Sequence, residues 1–387
     1  MNILLLTDGI YPCVIGGMQK HSYYLAKYLA KNKIKVDLFH CVYQGQIPDH
    51  QGADPHYFSE EELSNIHFSC FSFPKSDRWP GHYLRENKIY SSLIYEAVKD
   101  RIKQYDLIYA QGYTGWRFIK ERKGGNLAVP VLVNFHGLEM FQKAPSLLIK
   151  LQHLLLRPLT RWSILHADFV SSFGGKITEI LEKLGTPASK IIEIPIGIEA
   201  SWLGQEHNKE IGSTRKFVFI GRYERRKGLQ ELNTVLKQLL EEGIGDFEFH
   251  FIGPIPEDKR ILADKIVYHG EIWDQHDIQH ILLKSDILVC PSYSEGMPTV
   301  ILEAMAKGLA IIATKVGAVE KEVQGNGWLM ERVRTECLKN TLINAIHISP
   351  DQLAAYQKRS VFLIKENFLW DKVVALTIEA FQKIIIR

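Results

Sequence analysis

The sequence predicts an α/β protein of two doubly wound domains, on three observations. Short β-rich runs alternate with longer helical periods along nearly all of the 387 residues. One polar stretch without a clear period, 197–215, interrupts that rhythm. Beyond it the alternation resumes. Strand–helix alternation argues for parallel sheets with right-handed crossovers, and such sheets bind ligands beyond the carboxyl ends of their strands. Two facing domains would then set their strand ends across one cleft.

In chain order, the first group of strands is read at "NILLLT" (2–7), "KVDLFHC" (35–41), "DLIYAQ" (106–111), "PVLVNF" (130–135), "DFVSSF" (168–173) and "KIIEIP" (190–195). The second group is "KFVFIG" (216–221), "DFEFHFIG" (246–253), "KIVYHG" (265–270), "DILVCP" (286–291) and "LAIIAT" (309–314). Helical periods run over Lys20–Lys31, Gly228–Glu242 and Pro298–Lys307. The terminal stretch "VFLIKENFLWDKVVALTIEAFQKIIIR" reads as helix with a bend at "ENFLW". The expected domains are 1–196 and 197–366, with 367–387 as a helix crossing back to pack on the first domain.

Charge and cysteine content exclude several classes. Lys and Arg exceed Asp and Glu by three, so no global field points to nucleic acid. Cys13, Cys41, Cys70, Cys290 and Cys337 are scattered and odd in number, which fits a reducing compartment and not a disulfide framework or a zinc site. No signal-peptide pattern opens the chain, and no apolar run reaches the ~18 residues that a spanning helix needs. The expectation is a cytoplasmic protein, with the inner face of the membrane as a place of contact. That contact would be made through "FQKAPSLLIKLQHLLLRPLTRW" (141–162), which carries five basic or histidine positions and no acid. An amphipathic helix packed on the sheet reads the same stretch equally simply.

Four places could carry chemistry. In "PSYSEGMPTVILEAMAKGLAII" (291–312) two acids, Glu295 and Glu303, stand in an apolar segment. Pro298 suits a helix start, so the amides of Gly296, Met297 and Thr299 would face an anion there. An ionised carboxylate only accepts hydrogen bonds, so Glu295 and Glu303 would suit sugar or ribose hydroxyls; a capping acid and a solvated helix residue are the plainer alternative. "FIGRYERRKGLQEL" (219–232) puts Arg222, Arg225, Arg226 and Lys227 at a strand's carboxyl end, as a diphosphate would require or as a solvated basic loop would have it. Gly16 and Gly17 sit in the loop of "TDGIYPCVIGGMQKHSYYLAKYLA", where a backbone could approach a ligand or simply turn. His136, in "VLVNFHGLE", follows a strand and could serve a sugar hydroxyl or a cap. There is no D-x-D, no G-x-S-x-G and no Walker-type loop, and no G-x-G-x-x-G follows either domain's first strand.

Together these segments resemble the retaining nucleotide-sugar glycosyltransferases of GT-B fold, the glycosyltransferase family four or "glycosyl transferases group 1" type, over nearly the whole chain. "SEGMPTVILEAMAKGLAIIAT" fits the family's E-x7-E signature with Glu295 and Glu303 as its acids. "GRYERRKG" resembles its G-R…K-G loop, which assigns diphosphate contacts to Arg222 and Lys227. "GGMQKHSYYLAKYLA" resembles its glycine loop and helix, and "FHG" places His136 where the family often has a histidine near the donor sugar. "IGP" (252–254) and "VGAVEKEV…GNGWL" also match. Two departures stand out. "PIGIE" (195–199) replaces the family's P-N-G-V-D, putting Ile196 and Glu199 near the expected hinge, and Ala318 and Lys321 depart from "GGxPE".

The resemblance implies a hexosyltransferase-like enzyme of glycan, polysaccharide or glycolipid synthesis. It would move a sugar with retention from a nucleotide diphosphate sugar to a glycan or lipid-linked hydroxyl acceptor. His136, Arg222, Lys227 and Glu295 would be catalytic. Gly16, Gly17, Gly296, Met297, Pro298, Thr299 and Glu303 would bind the donor. No metal or other cofactor and no nucleic acid is implied. A nucleotide-sugar epimerase of the same fold, or a non-catalytic sugar-nucleotide-binding protein, remains open on the sequence.

Overall fold

A computed structural model describes residues 1–14, 16–42, 58–76, 79, 81–204 and 212–386. The chain divides into two compact units. The first comprises Met1–Phe141, Leu151–Gly197 and Trp370–Arg387; the second comprises Gln142–Lys150 and Ile198–Leu369. Part of the polar stretch that interrupts the strand–helix rhythm, 205–211, lies outside the described residues.

The first unit is built on seven parallel strands: β1 (Asn2–Leu6), β2 (Lys35–Val42), β3 (Ile66–Ser72), β4 (Leu107–Gln111), β5 (Val131–Asn134), β6 (Phe169–Ser172) and β7 (Ile191–Glu193). Their order is β3-β2-β1-β4-β5-β6-β7, so the order reverses between β1 and β4. Both faces are covered. On one, Tyr90, Ile94, Phe118, Ile119 and Ile164 pack on Leu4, Leu6 and Val131. On the other, Leu25, Leu29, Val373 and Phe381 pack on Ile3, Leu5 and Leu38. Burial on both sides explains why these strands read as continuous apolar runs instead of alternating ones.

The second unit has six parallel strands: β8 (Arg215–Ile220), β9 (Phe247–Ile252), β10 (Ile266–Gly270), β11 (Ile287–Cys290), β12 (Ala310–Thr314) and β13 (Gly327–Met330), in the order β10-β9-β8-β11-β12-β13. Here the order reverses between β8 and β11. Its core is a run of phenylalanines, Phe217, Phe219, Phe247, Phe249 and Phe251, beneath Leu229, Leu232, Val235, Leu236 and Leu239 of the helix Leu229–Glu241. These are two Rossmann-like units, as expected.

Two strands escaped the sequence reading, β3 and β13. Both lie at a sheet edge, and β3 mixes partly exposed His, Ser and Cys with its apolar residues. An edge strand pairs on one side only, and its open side tolerates polar residues in place of an apolar run.

The main segment of the second unit begins at Ile198 and ends at Leu369, and these two residues pair as an isolated parallel bridge. The Ile198 amide donates to the Phe368 carbonyl at 2.7 Å. The bend expected at "ENFLW" is a π-helical turn, Ile364–Phe368. After it the helix Trp370–Ile386 belongs to the first unit and buries Trp370, Val373, Val374, Phe381 and Ile384 there. Trp370 is 1% exposed and stacks on Tyr28 at 5.5 Å, with Tyr24 and His21 beside it. Emptying a site of that size removes transfer free energy and leaves a cavity. Trp370→Ala should therefore cost about 3–5 kcal/mol, read as a lowered urea midpoint of the first unit. A loss below about 1 kcal/mol would mean that the helix is not integral to this core.

Candidate functional site

The residues of the basic loop and of the E-x7-E segment meet at the switch point of the second sheet. β8 feeds the loop Gly221–Gly228, and its neighbour β11 feeds the loop Pro291–Pro298. Adjacent strands that turn opposite ways leave a crevice at their carboxyl ends, which is where α/β sheets bind ligands. The two loops are stitched together. The Tyr293 amide donates to the Arg226 carbonyl at 2.7 Å. Gly228 adopts φ 71, and a Cβ there would lie 2.0 Å from the Pro291 carbonyl oxygen. A third loop closes the set: the Ala318 amide donates to the Gly296 carbonyl at 2.7 Å, and Gly317, at φ 53, leaves no room for a side chain against the same carbonyl. Only glycine satisfies both the left-handed backbone and the contact.

Lys227 and Glu295 form the centre. Lys227 Nζ donates to Glu295 Oε1 at 2.6 Å, and Arg226 donates to Oε2 at 3.3 Å. Glu295 is 6% exposed. Burial pushes its carboxyl up, but the charges of Lys227 and Arg226, with hydrogen bonds from Lys227 and Ser292, outweigh this and hold it below the usual carboxylate range. Arg226 also bonds Glu224 at 2.7 Å. Arg225 is committed elsewhere: it grips Glu231 with two hydrogen bonds of 2.8 and 2.6 Å, and its guanidinium lies over the Tyr293 ring. Arg222 pairs with Glu224 but keeps its side chain 71% exposed.

The four cations of the sequence thus have different tasks. Arg225 braces the loop, Arg226 and Lys227 hold Glu295, and Arg222 is the most accessible.

The helix Thr299–Ala306 begins one residue later than read, with Pro298 at its N-cap position. Met297 and Pro298 are buried, while Gly296 and Thr299 are partly open. Glu303 is 8% exposed and sits in the second turn of that helix. Glu295 and Glu303 are therefore both buried; the alternative of a solvated Glu303 does not hold.

In the first unit, Gly16 precedes the helix Gly17–Lys31 and Gly17 opens it; a Cβ on Gly17 would meet open space. His136 lies beyond β5, with Nε2 2.7 Å from Gln111 Oε1 at the end of β4. Among the described residues, no group of three or more His, Cys, Asp or Glu could hold a metal ion.

One acid of the second unit went unread. Glu322, in "VGAVEKEV", is 0% exposed, and among the described residues neither carboxylate oxygen has a hydrogen-bond partner. Burial, with the Glu295 charge adding to it, raises its pKa well above the usual carboxylate range. Its only signal in the sequence is an acid beside valines, which does not separate a buried carboxyl from a solvated one.

Comparison with known proteins accords with this geometry. Residues 15–202 match the family described as Glycosyltransferase Family 4, and residues 214–347 that described as Glycosyl transferases group 1. A putative teichuronic acid biosynthesis glycosyltransferase of Bacillus subtilis (strain 168) is 33% identical over 162 residues, 40% of either chain. A putative colanic acid biosynthesis glycosyltransferase of Escherichia coli (strain K12) is 24% identical over 204 residues, 49% of this chain and 50% of that one. The matched stretch thus spans half or less of both relatives. In fold, sucrose-phosphate synthase from Thermosynechococcus elongatus superposes with a TM-score of 0.77 at 18% identity, over 100% of this chain and 99% of that one.

Glu322 yields a test with a definite sign. A folded-state pKa raised above the unfolded value means that its stability contribution is complete below about pH 4.3 and is lost as pH rises toward the folded pKa. Glu322→Gln, which mimics the protonated acid, should match the parent protein near pH 4.5. It should become progressively more stable than the parent above it, by at most about 1.4 kcal/mol per pH unit. Melting temperatures of the pair from pH 4.5 to 8 measure this, and a gap that stays flat would refute a buried protonated Glu322.

From these matches, one over each unit, and from the switch-point loops that carry its signature residues, the chain belongs to the GT-B-fold glycosyltransferases of the Glycosyltransferase Family 4 and Glycosyl transferases group 1 kind.

Proposed function

We propose that this protein is a retaining, metal-independent glycosyltransferase that moves a sugar from a nucleotide diphosphate sugar to a hydroxyl acceptor. The observation that carries this is the ion cluster of Lys227, Arg226 and Glu295 at the β8/β11 switch point. The expected donor domain, 197–366, would bind the nucleotide sugar there, and 1–196 the acceptor. As the C1–O bond breaks, negative charge grows on the leaving diphosphate. Arg222, Lys227 and the amides of Gly296, Met297 and Thr299 would stabilise that charge from fixed positions, so that no divalent ion is required. Pro298, which has no N–H, would shape this turn.

Glu295, kept ionised by its cations, would accept hydrogen bonds from hydroxyls of the transferred sugar, and Glu303 from the ribose. Retention rests on the family resemblance; the leaving phosphate would take the proton of the acceptor hydroxyl. His136 would serve the sugar, and Gly16 and Gly17 would let backbone approach the donor. The relatives' teichuronic and colanic acid biosynthesis names support a place in polysaccharide or glycolipid synthesis.

A membrane-borne acceptor fits the helix Leu147–His166. Leu147, Leu148, Leu151 and Leu155 are 79%, 67%, 61% and 59% exposed, and Lys143, Lys150 and Arg161 are exposed near them. An exposed apolar stripe with basic neighbours suits the surface of an anionic bilayer and supports the reading that the protein would work at the inner face of the membrane. No helix among the described residues is long and apolar enough to cross one.

A thermal-shift panel of nucleotide sugars selects the donor, and turnover with an acceptor panel tests transfer. Arg222→Ala and Lys227→Ala should each lower kcat/KM about 100-fold while the circular dichroism stays native. EDTA should leave the rate unchanged. Near-normal rates in both variants would remove the phosphate assignment, and loss in EDTA restored by a divalent ion would remove metal independence. The protein should also sediment with phosphatidylglycerol vesicles, and Leu151→Glu with Leu155→Glu should abolish this. Equal sedimentation with and without anionic lipid would argue against the bilayer contact.

A further inference from the structure

In the first unit the carboxyl ends of β4 and β5, on one side of the β1/β4 switch point, carry a polar cluster. β4 ends at Gln111 and its neighbour β5 at Asn134, directly opposite in register. Gln111 is 0% exposed, and its Oε1 lies 2.7 Å from His136 Nε2. The His136 amide donates to Asn134 Oδ1 at 2.8 Å, and Asn134 Nδ2 donates to the Tyr109 hydroxyl at 3.0 Å. These bonds hold His136 at φ 56, a left-handed conformation that a non-glycine residue keeps only where its surroundings impose it.

The His136 ring is packed edge-on by His21 at 5.2 Å and by Phe173 at 5.4 Å. His21 is 4% exposed, and among the described residues neither of its ring nitrogens has a hydrogen-bond partner. Burial lowers the His21 pKa to about 4. Burial, and next the charge His21 would carry, lowers that of His136 well below the ordinary value; His21 is the one titratable group felt by His136 among the described residues.

We infer that Gln111 and His21 are positioning residues for His136: Gln111 draws the ring's single N–H to Nε2, His21 seals the ring as a neutral imidazole, and Nδ1 is left to accept a hydrogen bond from a sugar hydroxyl. A neutral imidazole has one donor and one acceptor nitrogen, and the bond that one makes decides the other. An amide oxygen can only accept, so the proton must face it. The ligand class rests on the proposed sugar transfer; the tautomer does not.

The test is 15N NMR of histidine-labelled full-length protein, with His136→Asn identifying the signal. The expected result is a pyrrole-type Nε2 and a pyridine-type Nδ1 that do not titrate from pH 5 to 8. A protonated Nδ1, or a ring that titrates near 6.5, overturns the inference. Gln111→Met, similar in size but without the acceptor, should give mixed tautomers and lower kcat/KM at least tenfold for the nucleotide sugar with the largest thermal shift. An unchanged 15N pattern in that variant also overturns it. If Gln111→Met fails to fold, Gln111→Glu decides. Its carboxylate should keep Nε2–H and raise the His136 pKa into the pH 5–8 range, giving kcat/KM an acid limb; a ring that still does not titrate counts against the contact. Should the tautomer be as expected while no nucleotide sugar is turned over, the transfer reading fails and the positioning of His136 stands.

Discussion

A buried ammonium–carboxylate contact, Lys227 to Glu295, organises the second unit's site. Removing a carboxylate from water costs several kcal/mol, which the protein recovers only with close countercharge and complete hydrogen bonding. Lys227 and Arg226 supply both, and they stay in place because Gly228 lets their loop turn against Pro291. Glu322 shows the alternative within the same unit. It is also buried but has no cation beside it among the described residues, so its carboxyl is driven toward the neutral form while that of Glu295 is driven toward the charged one. Partners, not depth, separate the two acids.

The second unit places its chemistry by a geometric device of its sheet. A parallel sheet whose strand order reverses sends neighbouring strands into loops that diverge, and side chains at the base of those loops meet. In the second unit β8 and β11 bring Lys227 to Glu295, residues 68 apart in sequence. In the first unit no reversal is involved: β4 and β5, adjacent and in register on one side of the switch point, bring Gln111 to His136. Strands buried on both faces make a base that holds the loop residues within hydrogen-bonding distance of each other.

The interior strands and their order of appearance were legible because double-sided burial writes a continuous apolar run. The edge strands β3 and β13 were not, since partial solvation permits polar residues. The loops bearing the candidate site were legible as unusual chemistry in unusual places: two acids in an apolar segment and four cations after a strand. Their division of labour was not, because Arg225 is distinguished from Arg226 only by Glu231 and Tyr293, which the fold brings to it. Gln111 and His21 gave no signal, as a single amide and a single imidazole occur in many roles.

Sequence alone determined the α/β class, the two-part organisation and the family, because periodicity and short motifs are local properties. It also determined which residue types were available at each strand's carboxyl end. Only the tertiary structure decided that Lys227 and Arg226 neutralise Glu295, that Glu322 is buried with its oxygens unpartnered, and that the final helix completes the first unit's core through Trp370. The ionisation of a carboxyl and the packing of an indole depend on what lies within a few ångströms, and those neighbours come from distant parts of the chain.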